Sequence, residues 1–337
     1  MFLKGINYDV GTFYNPGICT RPVFDEHTIR NEIGIIRNEL HCECIRISGY
    51  DIERLMKTSE CALELGMRVW LSPIYINATQ EQNAHYIREC AVEAEKLRKK
   101  YSHVVFVAGC EHSLYTHGFI KGENCYQRIA KMFSLPGIIL NGIGFRNQTY
   151  KKMNAYLNTT VQSIRSVFNG EVTYASGTWE KVDWSIFDIV GINHYRSSYN
   201  QSSYVKTLGS YHVFGKPVAV TEFGCCTYKG AEKAGGGGWN ITEEKDGKLC
   251  IKGNYKRSET VQADYIIDLL KIFEKEDIYA SFVFTYINPD FVHDPTSAFD
   301  LDMASYGIVK PVNGDEGLQF LPKEAFFRLA EFYKQKK

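Results

Sequence analysis

Residues 216–224 read KPVAVTEFG, an apolar run that ends abruptly in Thr221 and Glu222. A short run of this kind, rich in Val, is typical of a strand that is buried on both faces of a parallel sheet. The chain contains eight such runs, and the segments between them carry helical periodicity. The predicted strands are 2–9, 42–48, 68–74, 103–111, 171–176, 186–195, 216–224 and 280–289.

Helix start signals lie between the predicted strands. Asp25 and Asp51 are predicted N-caps, and Thr79 with Gln82 forms a capping-box pattern. Further helices are predicted at 148–168, 259–275 and 323–335. Repeated strand–helix units predict an α/β fold, a single (β/α)8 TIM barrel over residues 1–337. A doubly wound sheet is the structural alternative, but no G-x-G-x-x-G motif follows the first strand.

Composition and charge restrict the class of function. Lys plus Arg equals Asp plus Glu at 39 each, so no bulk field attracts nucleic acid or an anionic membrane. The sequence has neither a signal-peptide pattern at its start nor a run of about 20 apolar residues that could span a membrane. We expect a cytoplasmic protein with no nucleic-acid or membrane partner, and the oligomeric state stays open.

Ten cysteines lie mostly inside apolar patterns, with no CxxC pair. This usage predicts reduced, buried thiols rather than a disulfide framework or a zinc site, and no cofactor is expected. One alternative uses a thiol directly. Cys110 could act as a nucleophile with His112 as its base.

Two glutamates end two of the predicted strands, Glu111 after the fourth and Glu222 in the seventh. TIM barrels gather their chemistry at the C-terminal ends of the strands, so both side chains are expected at the mouth of the barrel. A single carboxylate there is often a helix cap or a surface charge. Two carboxyl groups about 5 to 5.5 Å apart can instead divide glycoside hydrolysis between a nucleophile and an acid/base, with net retention.

The glutamate after strand four, TEFG at 221–224 and a tyrosine on strand six resemble the retaining glycoside hydrolases of clan A. The resemblance implies that Glu222 is the nucleophile and Glu111 the general acid/base. That clan usually places Asn immediately before the acid/base, where it contacts the sugar 2-hydroxyl, whereas this chain has Cys110. The sequence Asn193-His194-Tyr195 resembles the clan's His-x-Tyr, so Tyr195 is expected to donate a hydrogen bond to Glu222.

A second resemblance runs nearly end to end. The segments GINYDVGT, RISG, VVFVAGCEHSL, VTYASGTWEKVDW, VAVTEFGCCTYKGA and DLDMASYGIVK are similar to a bacterial group labelled abortive infection proteins. That label implies a phage-defence context and supplies no chemistry. The leading hypothesis is a cofactor-free retaining glycosidase acting on a small β-linked glycoside or oligosaccharide. The alternative is a barrel that binds a glycan or nucleotide-sugar in defence without turnover, which the missing Asn favours slightly.

Other polar and aromatic residues are expected at the mouth. Arg46, at the end of strand two, either holds a neighbouring glutamate ionised or forms an ordinary barrel ion pair. Asp9, at the end of strand one, either anchors a sugar hydroxyl or caps a turn. Asn193 shares a strand face with Tyr195. Trp179 and Tyr286 are either sugar-stacking platforms or core residues.

The segment 229–255 is too long for an ordinary connection between a strand and a helix. Four consecutive glycines at 235–238 predict a hinge, and Asp246-Gly247 predicts a β-hairpin turn. The segment is interpreted either as a lid over the nucleophile's side of the mouth or as a solvated excursion.

Overall fold

Eight parallel strands close into a barrel in the computed structural model, which describes residues 2–134, 145–315 and 317–335. Hydrogen bonding follows chain order, and the last barrel strand pairs with the first to close the ring. The barrel strands are β1 (Leu3–Asp9), β2 (Cys44–Gly49), β3 (Arg68–Pro73), β4 (Val104–Cys110), β5 (Val172–Gly177), β6 (Val190–Asn193), β7 (Val218–Phe223) and β10 (Ala280–Val283). The predicted TIM barrel is therefore confirmed.

Helices lie between the barrel strands and after the last of them. They are α1 (Glu26–Asn38), α2 (Ile52–Glu64), α3 (Gln80–Tyr101), α4 (His112–Tyr115), α5 (Cys125–Phe133), α6 (Phe145–Arg165), α7 (Tyr204–Ser210), α8 (Glu259–Lys275) and α9 (Glu324–Lys334). The predicted caps are present: Asp25 accepts from the Thr28 amide at 2.7 Å, and Asp51 caps α2. Thr79 and Gln82 form both bonds of the capping box of α3.

Two predicted strands are shorter than expected. Only Val190–Asn193 of 186–195 is strand, because Trp184–Ile186 form a turn of 3₁₀ helix. The last barrel strand ends at Val283 rather than at residue 289. Phe187 and Ile189 are buried outside the strand, while the amides of Phe284 and Tyr286 make only single bonds to the carbonyls of Phe223 and Asn7. Apolarity alone therefore overextends the strand.

The lower part of the barrel is filled with side chains. Trp70 and Phe282 pack inside it with ring centroids 4.8 Å apart, and both are fully buried. A Cβ added at Gly5 would lie 2.6 Å from the Phe282 ring, so this interior position requires glycine. Because the interior is packed, chemistry can occur only at the open, C-terminal end of the strands.

The long segment after β7 contains two 3₁₀ turns and a hairpin of β8 (Thr242–Lys245) and β9 (Lys248–Ile251). Asp246 and Gly247, at its turn, have φ angles of 52° and 71°, the left-handed pair that a type I′ turn requires. The predicted hairpin is confirmed. Ile241 and Ile251 are buried in the main core, so the base of the hairpin is packed rather than solvated.

A second hairpin, β11 (Val309–Gly314) with β12 (Gly317–Pro322), precedes α9 and was not predicted. In the described part of the chain, no helix combines the length and the apolarity needed to cross a membrane.

Candidate active site

Glu111 and Glu222 both lie at the C-terminal end of the barrel, Glu222 within β7 and Glu111 directly after β4. Glu111 has a φ angle of 41°, in the left-handed region, and its amide donates to the Ala175 carbonyl at 2.9 Å. This conformation costs a non-glycine residue about 1–2 kcal/mol. Such strain at the end of a barrel strand is typical of a functional position.

Three side chains surround the Glu222 carboxylate. Arg46 Nη1 lies 2.6 Å from Oε1, and Tyr195 Oη donates to Oε2 at 3.2 Å. Cys110 Sγ lies 3.5 Å from Oε1. The Glu222 side chain keeps 13% of its surface exposed, whereas Arg46 is buried. Arg46 is therefore the ion-pair partner of the Glu222 carboxylate.

Arg46 is fixed by further bonds inside the barrel. Nη1 donates to Asn7 Oδ1 at 3.0 Å, and Nε donates to Ser72 Oγ at 3.2 Å. Burial lowers the pKa of the Arg46 guanidinium, but Glu222 and Cys110 together outweigh burial and raise it above its usual value. The arginine is therefore a permanent, oriented positive charge beside one glutamate.

Glu111 occupies a different environment from Glu222. It is buried, and Asn193 Nδ2 donates to its Oε1 at 2.9 Å. Burial raises the pKa of Glu111 well above its usual value, and the Glu222 charge raises it further, while the Asn193 bond acts in the opposite direction. The Asn193 amide is itself oriented, because Thr221 Oγ1 donates to its Oδ1 at 2.7 Å. The two carboxyl groups therefore lie in different environments, Glu222 paired with a guanidinium and Glu111 buried beside an amide.

Cys110 lies between the two glutamates. Its Sγ is 3.5 Å from Glu222 Oε1 and 3.5 Å from Asn193 Nδ2. The structure does not form the pair with His112 that a cysteine nucleophile would need. The His112 ring nitrogens contact the Ala108 carbonyl at 3.2 Å and Thr116 Oγ1 at 2.9 Å.

Burial also works against cysteine catalysis. It raises the pKa of the Cys110 thiol well above its usual value and lowers the pKa of His112 to about 4. All ten cysteines are free, and nine of them are buried, as predicted.

The remaining predicted residues are not all at the site. Trp179 is half-buried at the rim, and its Nε1 donates to Ser113 Oγ at 3.1 Å, two residues from Glu111. The carboxylate of Asp9 is occupied by its own loop, accepting from the Gly11 amide at 3.1 Å among other donors. That geometry corresponds to the turn-capping alternative.

Tyr286 belongs to the core. Its ring packs against Tyr8 with centroids 6.0 Å apart, and only 3% of the residue is exposed. No ring face is free for a sugar, so the stacking interpretation does not fit its position, and the core alternative does. The structure therefore brings Arg46, Asn193 and Tyr195 to the two glutamates and leaves Tyr286 outside.

Two tyrosines near the glutamates were missed. Tyr14, in the loop after β1, and Tyr115, in α4, pack edge to face with centroids 6.0 Å apart. Burial raises the pKa of Tyr14 well above its usual value, and the Glu222 charge adds to the rise. Burial also raises the pKa of Tyr115 well above its usual value, and Tyr14 and Glu111 add to the rise. Aromatic residues in loops show no hydrophobic periodicity. The only sequence feature that could have placed these two tyrosines at the site is their position shortly after the end of a strand.

A buried carboxylate supports the turn that carries Glu111. Glu180 Oε1 accepts from the Ser113 amide at 2.9 Å, and Tyr174 Oη donates to Oε2 at 2.9 Å. The same hydroxyl accepts from the His112 amide at 2.7 Å. These bonds fix the first residues of α4, and with them the direction of the Glu111 side chain.

Comparison with known proteins gives structural similarity alone. No family model matches the sequence, and no curated protein matches it. A GH113 β-1,4-mannanase superposes with a TM-score of 0.64 at 14% identity, over 99% of both chains. The GH113 β-mannanase AaManA from Alicyclobacillus acidocaldarius, in complex with ManMIm, has a TM-score of 0.63 at 13% identity, over 98% of this chain and 97% of that one.

A third similar structure is a larger protein. β-Glucuronidase 2 from Bacteroides uniformis, covalently bound to cyclophellitol-6-carboxylate aziridine, has a TM-score of 0.58 at 17% identity. All of this chain but only 36% of the glucuronidase is covered. The resemblance to abortive infection proteins finds no support among these comparisons. At such low identity, the comparisons show that the chain has the barrel fold of these hydrolases.

Proposed function

We propose that the protein is a retaining glycoside hydrolase in which Glu222 is the nucleophile and Glu111 the general acid/base. One observation carries the proposal: two carboxyl groups lie at one barrel mouth, one ion-paired with a buried arginine and the other buried with a raised pKa. Arg46 lies 2.6 Å from Glu222, while burial and the Glu222 charge raise the pKa of Glu111. Such a division identifies a nucleophile and an acid.

The reaction would occur in two balanced steps. Glu222 attacks the anomeric carbon, the bond to the leaving oxygen breaks, and the Glu111 proton passes to that oxygen. Glu111, now ionised, then removes a proton from water, which attacks the anomeric carbon and releases Glu222. Tyr195 and Arg46 orient Glu222, and Asn193 orients Glu111. No cofactor takes part.

The proposed substrate is a small β-linked glycoside or oligosaccharide. Support comes from the similar barrels, whose names describe a β-1,4-mannanase and a β-glucuronidase. Cys110 stands where clan A hydrolases usually have Asn, so contact with the 2-hydroxyl cannot come from that position. Asn193 Nδ2 lies 3.5 Å from Cys110 Sγ and is an amide close to the same place.

Covalent trapping tests the nucleophile. The protein is incubated with activated 2-fluoro glycosides of mannose, glucose, galactose and glucuronic acid, and its intact mass is measured. A stable adduct located on Glu222 by peptide mapping is expected with at least one sugar, and the Glu222→Gln variant should gain none. An adduct on another residue would refute the assignment.

Azide rescue tests the acid/base. Glu111→Ala should still be glycosylated by aryl glycosides with good leaving groups, lose activity on alkyl glycosides, and accumulate the intermediate. Azide should restore turnover and give a glycosyl azide of retained configuration. Equal losses on both substrate types without rescue would assign the acid/base elsewhere.

Cys110 favours one alternative function, a barrel that binds a glycan or nucleotide-sugar without turnover. That alternative predicts saturable binding of a sugar by calorimetry with neither adduct nor hydrolysis. The trapping experiment therefore separates the two functions.

A further inference from the structure

Aromatic side chains join the loops after β1, β2 and β3 into a wall along the barrel mouth. Phe13, after β1, packs edge to face against Tyr50, after β2, with centroids 5.9 Å apart. Tyr50 packs against Tyr75, after β3, at 4.8 Å. The Tyr50 amide also donates to the Gly11 carbonyl at 2.9 Å. Side-chain and backbone contacts thus leave these three loops without a gap between them.

The wall continues into the segment after β4. Tyr14 packs against Tyr115, and the Asn77 amide, after β3, donates to the Tyr115 carbonyl at 2.8 Å. Cys125, the first residue of α5, is fully buried, and its Sγ lies 3.8 Å from the Tyr14 carbonyl. The start of α5 is therefore packed into the mouth of the barrel.

Helix α5 meets loops from the other side of the barrel. In the ring of eight strands, β4 lies opposite β10 and three strands from β7. Yet Tyr126 of α5 packs against Trp239, in the segment after β7, with centroids 5.9 Å apart. This contact joins the segments that follow β4 and β7, the strands that position Glu111 and Glu222. It therefore crosses part of the mouth of the barrel.

We call the Tyr126–Trp239 contact the crossing. Its Trp239 end is anchored beside the nucleophile. The Gly238 amide donates to Tyr306 Oη at 3.0 Å, and Tyr306 Oη donates to the Gly235 carbonyl at 2.8 Å. The Tyr306 ring packs against Tyr195 at 5.7 Å, and Tyr195 binds Glu222. Trp239 is thus held next to the residues that orient the nucleophile.

From this enclosure we propose that the site is a pocket for one sugar ring, so that the enzyme removes single units from the non-reducing end. The inference rests on the proposed function. The ring attacked at its anomeric carbon lies between Glu111 and Glu222, and among the residues that the structure describes the wall with its Tyr126–Trp239 crossing bounds the mouth beyond that ring. Only the leaving group extends outward, on the acid/base side, where half-buried Trp179 lies.

Terminally blocked substrates test the pocket. The probes are 4-nitrophenyl β-1,4-tetrasaccharides of mannose and of glucose, each with and without a benzylidene acetal across O4 and O6 of the non-reducing ring. We expect hydrolysis of the unblocked probe only, with the monosaccharide as the first sugar released. Internal cleavage of a blocked probe would overturn the pocket while leaving the glycosidase assignment intact. Failure of both trapping and hydrolysis would instead refute the proposed function and this inference with it.

Variants test the crossing itself. Tyr126→Ala and Trp239→Ala, alone and together, should bring hydrolysis of the blocked probe to at least about tenfold above the detection limit, below which the unchanged protein is expected to stay, a change of the size produced by altering one pocket contact. Tyr199→Ala, at a tyrosine that is 81% exposed, is the matched control and should change nothing. Melting temperatures establish that the variants are folded. A folded double variant that still rejects the blocked probe would show that the crossing does not close the site.

Discussion

Arg46 forms an ion pair with the proposed nucleophile, and it contacts Glu222 from inside the barrel. Arg46→Met should lower kcat on an activated aryl glycoside by about 100-fold, because Glu222 loses the partner that orients it. Removing one partner of a buried pair should also cost about 3 kcal/mol of unfolding free energy. Arg30→Met, at an exposed pair with Glu64, is the control and should leave kcat unchanged. An unchanged kcat in folded Arg46→Met would reduce Arg46 to a structural residue.

Asn193 should affect the basic limb of the pH–rate profile. Its bond to Glu111 favours the ionised form, so Asn193→Ala should raise the pKa of Glu111 and move the basic limb of kcat/KM to higher pH. The acidic limb should stay where it is. Asn31→Ala, at an exposed position on α1, serves as the control. A basic limb that moves to lower pH would contradict the proposed direction of this hydrogen bond.

Burial of Glu111 has a cost in stability that depends on pH. Its pKa is raised in the folded state, so it does not oppose folding below the usual pKa of glutamate and opposes it increasingly as pH rises through the folded-state pKa. Glu111→Gln should therefore stabilise the protein by about 1 kcal/mol at neutral pH and little at pH 4. Chemical denaturation at both pH values measures the difference. Equal gains at both would point to packing rather than charge.

At the scale of elements, the segment after β7 is the place where sequence reasoning left two interpretations. The structure buries Ile251 of its hairpin and leaves Leu249 45% exposed. Ile251→Ala should destabilise the protein by about 2–5 kcal/mol, as for other core truncations. Leu249→Ala, the matched control on the same strand, should cost less than about 0.5 kcal/mol. Equal small losses in denaturant melts would mean that the hairpin does not pack on the core.

The barrel strands could be predicted because strands buried on both faces read as continuous apolar runs. The same rule overextended β6, since Phe187 and Ile189 are apolar for burial before the strand rather than in it. The hairpin β11–β12 was missed because side chains such as Leu318 and Leu321 are exposed and show no usable alternation.

Some residues of the candidate site could be predicted from the sequence and others could not, for similar reasons. Glu111, Glu222 and Arg46 were found because they end strands, which the barrel brings together. The aromatic residues of the wall and crossing lie on connecting segments, as Tyr14, Tyr126 and Trp239 do. Their ring contacts depend on how those segments fold over the mouth. No local pattern in the sequence encodes that path.

Across the whole molecule, a buried charge cluster ties the C-terminal helix to the rest of the chain. Lys323, just before α9, lies 3.0 Å from Asp302, and neither side chain is exposed. Arg257, just before α8, also reaches Asp302, at 2.8 Å. Lys323→Met should lower the unfolding free energy by about 3 kcal/mol, because a buried carboxylate loses one of two partners. Lys96→Met, at a surface pair with Glu93, should change it by less than about 0.5 kcal/mol. A neutral Lys323→Met would mean that Arg257 alone satisfies Asp302.

The distribution of the cysteines has a practical consequence for spectroscopy. Nine of the ten are buried, and Cys19, on the loop after β1, is the partly accessible one. A maleimide dye used at one equivalent under native conditions should therefore attach at Cys19, which tryptic mass mapping can check. Because that loop also carries Phe13 and Tyr14, the fluorophore would sit on the wall of the pocket. A single native thiol thus offers an optical report of ligand entry without any engineered residue.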